Sequence, residues 1–377
     1  MTADTIHRRR RCWAEIDLAA MLHNADTLRA EGGMELLAVV KANAYGHGTA
    51  DVVRALEGRA ALFGVANLHE AEDVEAVKTT TPIVLLGSCL PDERAAALRD
   101  GLQVSISSVE EAAAWDSLAA KLGQTVHAHI VIDTGMGRMG IPEEVWNENT
   151  ARDLQKFLHI RWEGLASHLP SADEDEGFTL AQIERFRKVV AQAHIGGLRP
   201  RWVHLDNSAG LLGYPQTAEL CNLARPGLAL YGVSPQPAQQ LLLKPVLAWK
   251  TRVILVRELP AGHGISYGRV DKLTRPSRVA TLACGYADGY PRQLSGKGTS
   301  VLIQGQRCPI LGRVTMDQIM VDVTDLGQQA ALGDEAVLLG TQDGVTIPVE
   351  ELATKAGTIP WHVFTSITAR VERVMKP

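Results

Sequence analysis

Residues 36–48 read Leu36-Leu37-Ala38-Val39-Val40-Lys41-Ala42-Asn43-Ala44-Tyr45-Gly46-His47-Gly48. Five apolar residues without polar alternation run directly into a lysine, the pattern of a strand buried on both faces of a parallel sheet. In a barrel of such strands the lysine stands at the mouth, where barrel sites lie. A lysine there is either a solvated strand end or an amine poised to form a Schiff base with a carbonyl compound. The small residues Ala42, Ala44, Gly46 and Gly48 let a ligand approach the backbone, and Tyr45 offers a hydroxyl.

Seven further apolar runs follow, at Ala61–Ala66, Ile83–Gly87, Gln103–Ile106, Val126–Asp133, Ile160–His168, Trp202–Leu205 and Cys221–Ala224. Helix-like stretches separate them at Ala50–Glu57, His69–Val77, Asp92–Arg99, Val109–Lys121 and Thr179–His194. Eight strand-plus-connection units predict an α/β fold, a (β/α)8 TIM-type barrel. The eighth run is the weakest. Beyond the polar linker Ser234-Pro235-Gln236-Pro237-Ala238-Gln239-Gln240 the texture changes. Runs at Trp249–Leu259, Ser277–Cys284, Thr299–Arg307, Gln318–Val323 and Ala336–Leu339 are punctuated by glycine turns, and only Val349–Lys355 reads as a helix. The expected division is residues 13–240 for the barrel and 241–377 for a mostly antiparallel β domain.

The 377 residues are 46% hydrophobic and 21% charged, with a formal net charge of -5. That excludes a disordered chain and leaves no basic footprint for nucleic acid. The five cysteines, Cys12, Cys89, Cys221, Cys284 and Cys308, form no CxxC pair, so neither a disulfide framework nor a metal site is expected. No apolar run approaches the ~20 residues of a membrane span. The basic start His7-Arg8-Arg9-Arg10-Arg11 is followed by Cys12-Trp13-Ala14-Glu15 and not by an apolar segment, so no signal peptide is expected. A cytoplasmic enzyme is the expectation.

Polar residues gather after several strands. Asp133-Thr134-Gly135-Met136-Gly137-Arg138-Met139-Gly140 follows the fifth and satisfies G-x-G-x-x-G, with Asp153 beyond. It reads as a dinucleotide loop only if it opens a helix. Otherwise it is a glycine loop that sets Arg138 at the mouth. His168 ends the sixth strand, with Asp173 beside it. His204 to Gly210, including Asn207 and Ser208, ends the seventh, and Arg225-Pro226-Gly227-Leu228 the eighth. A phosphate site after strands seven and eight recurs in barrels, and Ser208 with the amides of Gly227 and Leu228 suits one. In the β domain, Ser266-Tyr267-Gly268 and Gly285–Tyr290 hold three of the six tyrosines, which read equally as glycine turns with tyrosines packed over them.

The stretch around Lys41 resembles the cofactor-lysine motif of alanine racemases. Asp133–Gly140, His168, Asn207-Ser208, Arg225-Pro226-Gly227, Ser266-Tyr267-Gly268, Gly285–Tyr290 and Met316-Asp317-Gln318 match in family order from about Trp13 to the C-terminus. The resemblance implies a pyridoxal-phosphate-dependent racemase that acts as a head-to-tail homodimer on a small amino acid and supplies D-alanine for cell-wall peptide. Lys41 is then cofactor lysine and one catalytic base. Tyr267, reaching the partner's barrel, is the other, with His168 tuning it. Arg225 meets the pyridine nitrogen and His204 orients Arg225. Arg138 contacts the phenolic oxygen and the substrate. Tyr45, Ser208, Gly227 and Leu228 hold the phosphate, beside Asn207. Met316 supplies a backbone group to the substrate carboxylate. Asp173, Tyr286, Arg292, Arg313 and Asp317 line the entrance. Two positions depart from the family. Val131 stands where many members carry a carbamylated lysine that supports the arginine of the glycine loop. Trp361 stands for a tyrosine that narrows the pocket, which leaves a broader, serine-accepting racemase as the rival. A decarboxylase, a cofactor-homeostasis barrel and a cofactor-free Schiff-base aldolase fit the residues less well.

Overall fold

The computed structural model describes residues 10–376, so His7, Arg8 and Arg9 of the basic start lie outside it. It divides into two compact units. One takes the chain up to Ala19, Tyr45–Gly48 and everything from Pro245 onward, and the other takes Ala20–Ala44 and Thr49–Lys244.

The second of these is the expected barrel. Parallel strands Glu35–Val39, Leu62–Val65, Ile83–Leu85, Gln103–Ile106, Val126–Asp133, Ile160–Ala166 and Trp202–His204 pair in chain order. The short eighth strand, Leu223–Ala224, pairs with the first through Leu223↔Glu35 and Ala224↔Leu36. On its other side the Asn222 N–H donates to Val203 O (3.1 Å) and the Arg225 N–H to Asp206 O (2.8 Å), which closes the ring. Two paired residues suffice because both neighbours hold it. Helices begin where a side chain caps them. Asn67 accepts from the Glu70 N–H, Ser108 from Glu111 and Asp175 from Phe178, each satisfying an otherwise orphaned helix donor. Val109–Leu122 stops at Gly123 in the left-handed conformation, the glycine C-cap.

The other unit is built on a nine-stranded sheet whose pairings are antiparallel except one. Its long strand Leu247–Leu259 is flanked by Ser277–Leu282 and by Cys12–Asp17. Cys12–Asp17 therefore joins the sheet and does not open the barrel, correcting the boundary at Trp13. Non-local pairing decided this, since Glu372–Lys376 lies on its far side in parallel register. Two other expectations fail locally. Thr299–Arg307 is a hairpin, Ser300–Ile303 against Gln306–Leu311, turning at Gln304 and Gly305, both with positive φ. Pro360–Ser366 is a second helix, started by the preset φ of Pro360 and held by buried Val363 and Phe364. Among the described residues no helix is long and apolar enough to cross a membrane, and no three His, Cys, Asp or Glu side chains could share a metal ion.

Candidate active site

Lys41, Arg138, His168, Asn207-Ser208 and Arg225–Leu228 each follow the C-terminal end of a barrel strand, so they share one mouth. Lys41 enters an unusual segment. Ala42, Asn43, Ala44 and Tyr45 all have φ between 52° and 54°, a left-handed turn of four non-glycine residues. Such residues cost roughly 1–2 kcal/mol each. The turn is pinned from both ends. The Ala42 N–H donates to Glu70 Oε1 (2.8 Å), while Asn43 Oδ1 accepts from the Thr49 N–H (3.0 Å). Small side chains at 42 and 44 thus serve the turn as well as ligand approach. Burial lowers the Lys41 amine below its ordinary value, and the positive charge of Arg138 adds to the shift against a smaller opposing effect of Glu70.

Asp133 builds the glycine loop. Its carboxylate accepts from the N–H groups of Gly135, Met136 and Gly137 at 2.9–3.1 Å. Burial works against the charge, but these donors prevail and hold the carboxyl below its ordinary value. The loop returns as Ile141–Pro142 alongside Val126–Asp133, and only a single 3-10 turn, Glu143–Val145, follows before helix Glu148–Leu154. The glycine loop itself therefore does not open a helix, and the dinucleotide reading fails. Arg138 is exposed and has no hydrogen bond or ion pair among the described residues. Val131 cannot supply one.

Arg225 is the opposite case. It is buried, and its terminal nitrogens donate to His204 Nδ1 (2.6 Å), His204 O (3.0 Å), Ser167 O (2.5 Å), His168 Nδ1 (3.1 Å) and Leu205 O (3.1 Å). That leaves Nε as the donor for which no described residue supplies an acceptor. Burial brings its pKa down to about 10, opposed by the charge of Asp206, so it stays cationic at neutral pH. Asp206, buried beside it and accepting from Thr217 Oγ1, is pushed up to about 6 by burial.

Ser208 Oγ accepts from the Gly227 and Ala229 N–H groups, both at 3.1 Å. The Leu228 N–H between them has no acceptor among the described residues. Asn207 is committed to structure, its Oδ1 capping Ala209 and Gly210 and its Nδ2 donating to Leu169 O (2.9 Å). The Tyr45 phenol is buried, which raises it to about 12.

In the sheet unit Tyr267 is 71% exposed. Ser266 (φ 60°) and Gly268 (φ 74°) bend the chain around it, and Ser266 Oγ donates to Arg313 O (2.6 Å). Tyr286 and Arg292 border one cleft of about 430 Å³ with His362. The Met316 carbonyl accepts from the Ala287 N–H (3.0 Å), its side chain is half exposed, and Asp317 pairs with Arg370 (2.9 Å). Trp361 sits near the start of helix Pro360–Ser366.

Comparison with known proteins meets this geometry. The family profile described as Alanine racemase, N-terminal domain matches residues 16–235, and that described as Alanine racemase, C-terminal domain matches residues 246–375. The chain belongs to the alanine racemase family. It is 42% identical to the alanine racemase of Symbiobacterium thermophilum, with 96% of each chain covered, and 40% identical to that of Geobacter sulfurreducens, again with 96% of each. The crystal structure of alanine racemase from Streptomyces lavendulae superposes with a TM-score of 0.90 at 34% identity over 97% of each chain. That of Bartonella henselae alanine racemase, with covalently bound pyridoxal phosphate, does so at 0.88 and 31% identity, over 97% of this chain and 100% of that one. The barrel and the antiparallel domain are thus those of the family.

Pyridoxal phosphate fits the mouth on three observations: an amine of lowered pKa at Lys41, the uncommitted Nε of Arg225, and the unpaired Leu228 N–H beside Ser208. Sequence reasoning missed Glu70, which pins the left-handed turn, and Asp206, a buried carboxylate whose charge acts on Arg225. It also missed His129 and Gln103, which lie inside strands and give no end-of-strand signal.

The buried histidines set a pH limit on stability. Burial first, then the charge of Arg225, depresses His129 from the ordinary 6.5 to about 3 and lowers His168 and His204 well below 6.5. Once the pH falls below 6.5 the unfolded chain protonates these rings and the folded chain does not, so stability falls with acidification. Each ring contributes up to about 1.4 kcal/mol per pH unit. Asp206 acts oppositely, gaining stability as the pH falls through about 6, and offsets one of the three. Urea midpoints at pH 7.5, 6 and 5 should therefore fall steadily, with a shallower slope for His129→Gln. A midpoint rising toward pH 5 would contradict the neutral buried rings.

Proposed function

We propose that this enzyme interconverts L- and D-alanine, moving a proton off one face of Cα and onto the other, with pyridoxal phosphate held by Lys41. The observation that carries the reading is Arg225 in a chain of the alanine racemase family. Its two terminal nitrogens are fully engaged and its Nε is uncommitted at the mouth. When bound, the cofactor supplies an aldehyde for amines and a conjugated ring that delocalises charge from Cα.

Lys41 covalently retains the cofactor and, freed by the substrate amine, takes or returns the proton on one face. Its lowered pKa supports this, because a larger fraction is the neutral base at neutral pH. Arg225 donates Nε–H to the pyridine nitrogen and keeps its proton, since a pKa near 10 forbids transfer at neutral pH. Weak neutralisation of that nitrogen limits how long negative charge persists at Cα and so suppresses side reactions. Arg138 reaches the phenolic oxygen and the substrate carboxylate. Its lack of a protein partner is consistent with Val131 replacing an anionic support, and leaves it to be oriented by a bound anion. Ser208, Gly227, Leu228 and Tyr45 hold the phosphate.

Tyr267 is the second base, on the opposite face of Cα in the barrel of a partner chain. Its exposed phenol, with Met316 half exposed, is consistent with a surface completed by a second copy, head to tail. His168 lies behind it, and Tyr286, Arg292, Arg313, Asp317 and Asp173 line the approach. The working location is the cytoplasm, and the product is D-alanine for wall peptide.

Trp361 favours the rival, a racemase that also accepts serine, because an indole has a different outline from a phenol and donates only through its N–H. A coupled D-amino-acid assay across L-alanine and L-serine separates the two. We expect kcat/KM to favour alanine, and a clear serine preference would overturn the alanine assignment.

A further inference from the structure

A chain of buried side chains runs from Arg225 across the barrel interior, and its hydrogen-bond direction follows from one residue. A guanidinium donates and never accepts. Arg225 Nη1 lies 2.6 Å from His204 Nδ1, so Nδ1 must carry the lone pair. A neutral imidazole has one N–H, which places the His204 proton on Nε2. That nitrogen lies 2.9 Å from His129 Nδ1, which must accept in turn. The His129 proton is then on Nε2, 2.7 Å from Gln103 Oε1. The chain can end only in an acceptor, and the glutamine carbonyl is one.

Four barrel strands or strand ends contribute, Gln103 from the fourth, His129 from the fifth, His204 from the seventh and Arg225 from just after the eighth. All four side chains are buried. The intervening sixth strand makes room. Gly164 is the Cα partner of His129, and a Cβ there would fall 2.0 Å from His129 Nδ1. Burial and the charge of Arg225 keep both rings neutral. A second proton on either would set two donors face to face.

We propose that Gln103 and His129 are positioning residues for Arg225. By ending the chain in an acceptor, Gln103 satisfies the Nε2–H tautomer that the guanidinium dictates for both histidines and keeps His204 Nδ1 free to accept from it. Reversing the chain would set His204 Nδ1–H against Arg225 Nη1–H and displace the guanidinium. The consequence for chemistry rests on the proposed meeting of Arg225 with the cofactor ring, but the direction of the chain does not.

Neutron diffraction of deuterated holoenzyme tests the direction. Deuterons are expected on Nε2 of His204 and His129, and a deuteron on Nδ1 of either ring overturns the proposal. Two variants test the consequence through the dissociation constant of pyridoxal phosphate, read by visible absorbance. Gln103→Met removes the acceptor and should weaken retention roughly tenfold, the loss of one good hydrogen bond. Gln103→Glu keeps an acceptor oxygen and should stay within about threefold. Equal retention by the two variants, whether unchanged or equally weakened, overturns the positioning role. If Gln103→Met fails to fold, the neutron map decides. Absence of alanine turnover would defeat the proposed function while leaving the tautomers to be tested as before.

Discussion

Lys41→Ala should lower kcat for alanine racemisation by roughly 10³–10⁴-fold and abolish the visible absorbance of lysine-bound cofactor. The two losses have one cause. The Lys41 Nζ is the amine at the end of the first strand, and burial together with Arg138 holds its pKa below the ordinary value. Alanine at this position removes both the covalent anchor and a proton carrier, while the left-handed turn survives because Ala42 and Asn43 retain their bonds to Glu70 and Thr49. The variant should therefore fold, and circular dichroism with a urea midpoint matching that of the cofactor-free wild type checks that. Activity persisting alongside an unchanged visible spectrum would remove Lys41 from the chemistry and with it the cofactor assignment.

Tyr267→Phe should suppress Cα–H exchange from one enantiomer by roughly 10²–10⁴-fold and leave exchange from the other much less affected. A racemase needs two proton carriers on opposed faces, and deleting one hydroxyl blinds one face. The phenol is exposed on the sheet unit, so its loss breaks no buried contact within the chain. The loop that presents it is held independently by the Ser266 hydroxyl on Arg313 O. Solvent deuterium incorporation into L- and D-alanine, measured separately, gives the asymmetry. Equal loss from both would count against the two-base assignment.

Much of this was legible in the sequence, for physical reasons. Strands buried on both faces have no choice but to be apolar throughout, and all eight barrel runs lie within two residues of the observed strands. The lysine and Arg225 directly follow such runs and the histidines at 168 and 204 lie at the ends of theirs, and that position aims them at the mouth. The sheet unit was harder to read because its pairing is non-local. Nothing within Cys12–Asp17 says that it lies between Leu247–Leu259 and Glu372–Lys376. The hairpin at Gln304-Gly305 was hidden because a single turn glycine can also sit inside a strand pattern.

The sequence by itself determined the succession of strands and helices, the lysine at the end of the first strand, and the family. These depend on local pattern: buried strands must be apolar, and turns need residues that tolerate positive φ. Only the tertiary structure decided how the polar residues serve one another. Gln103, His129, His204 and Arg225 are separated by 26, 75 and 21 residues, and they become a single chain only because closing the barrel turns their side chains to the same interior. The direction of that chain then follows from one guanidinium that has only protons to give.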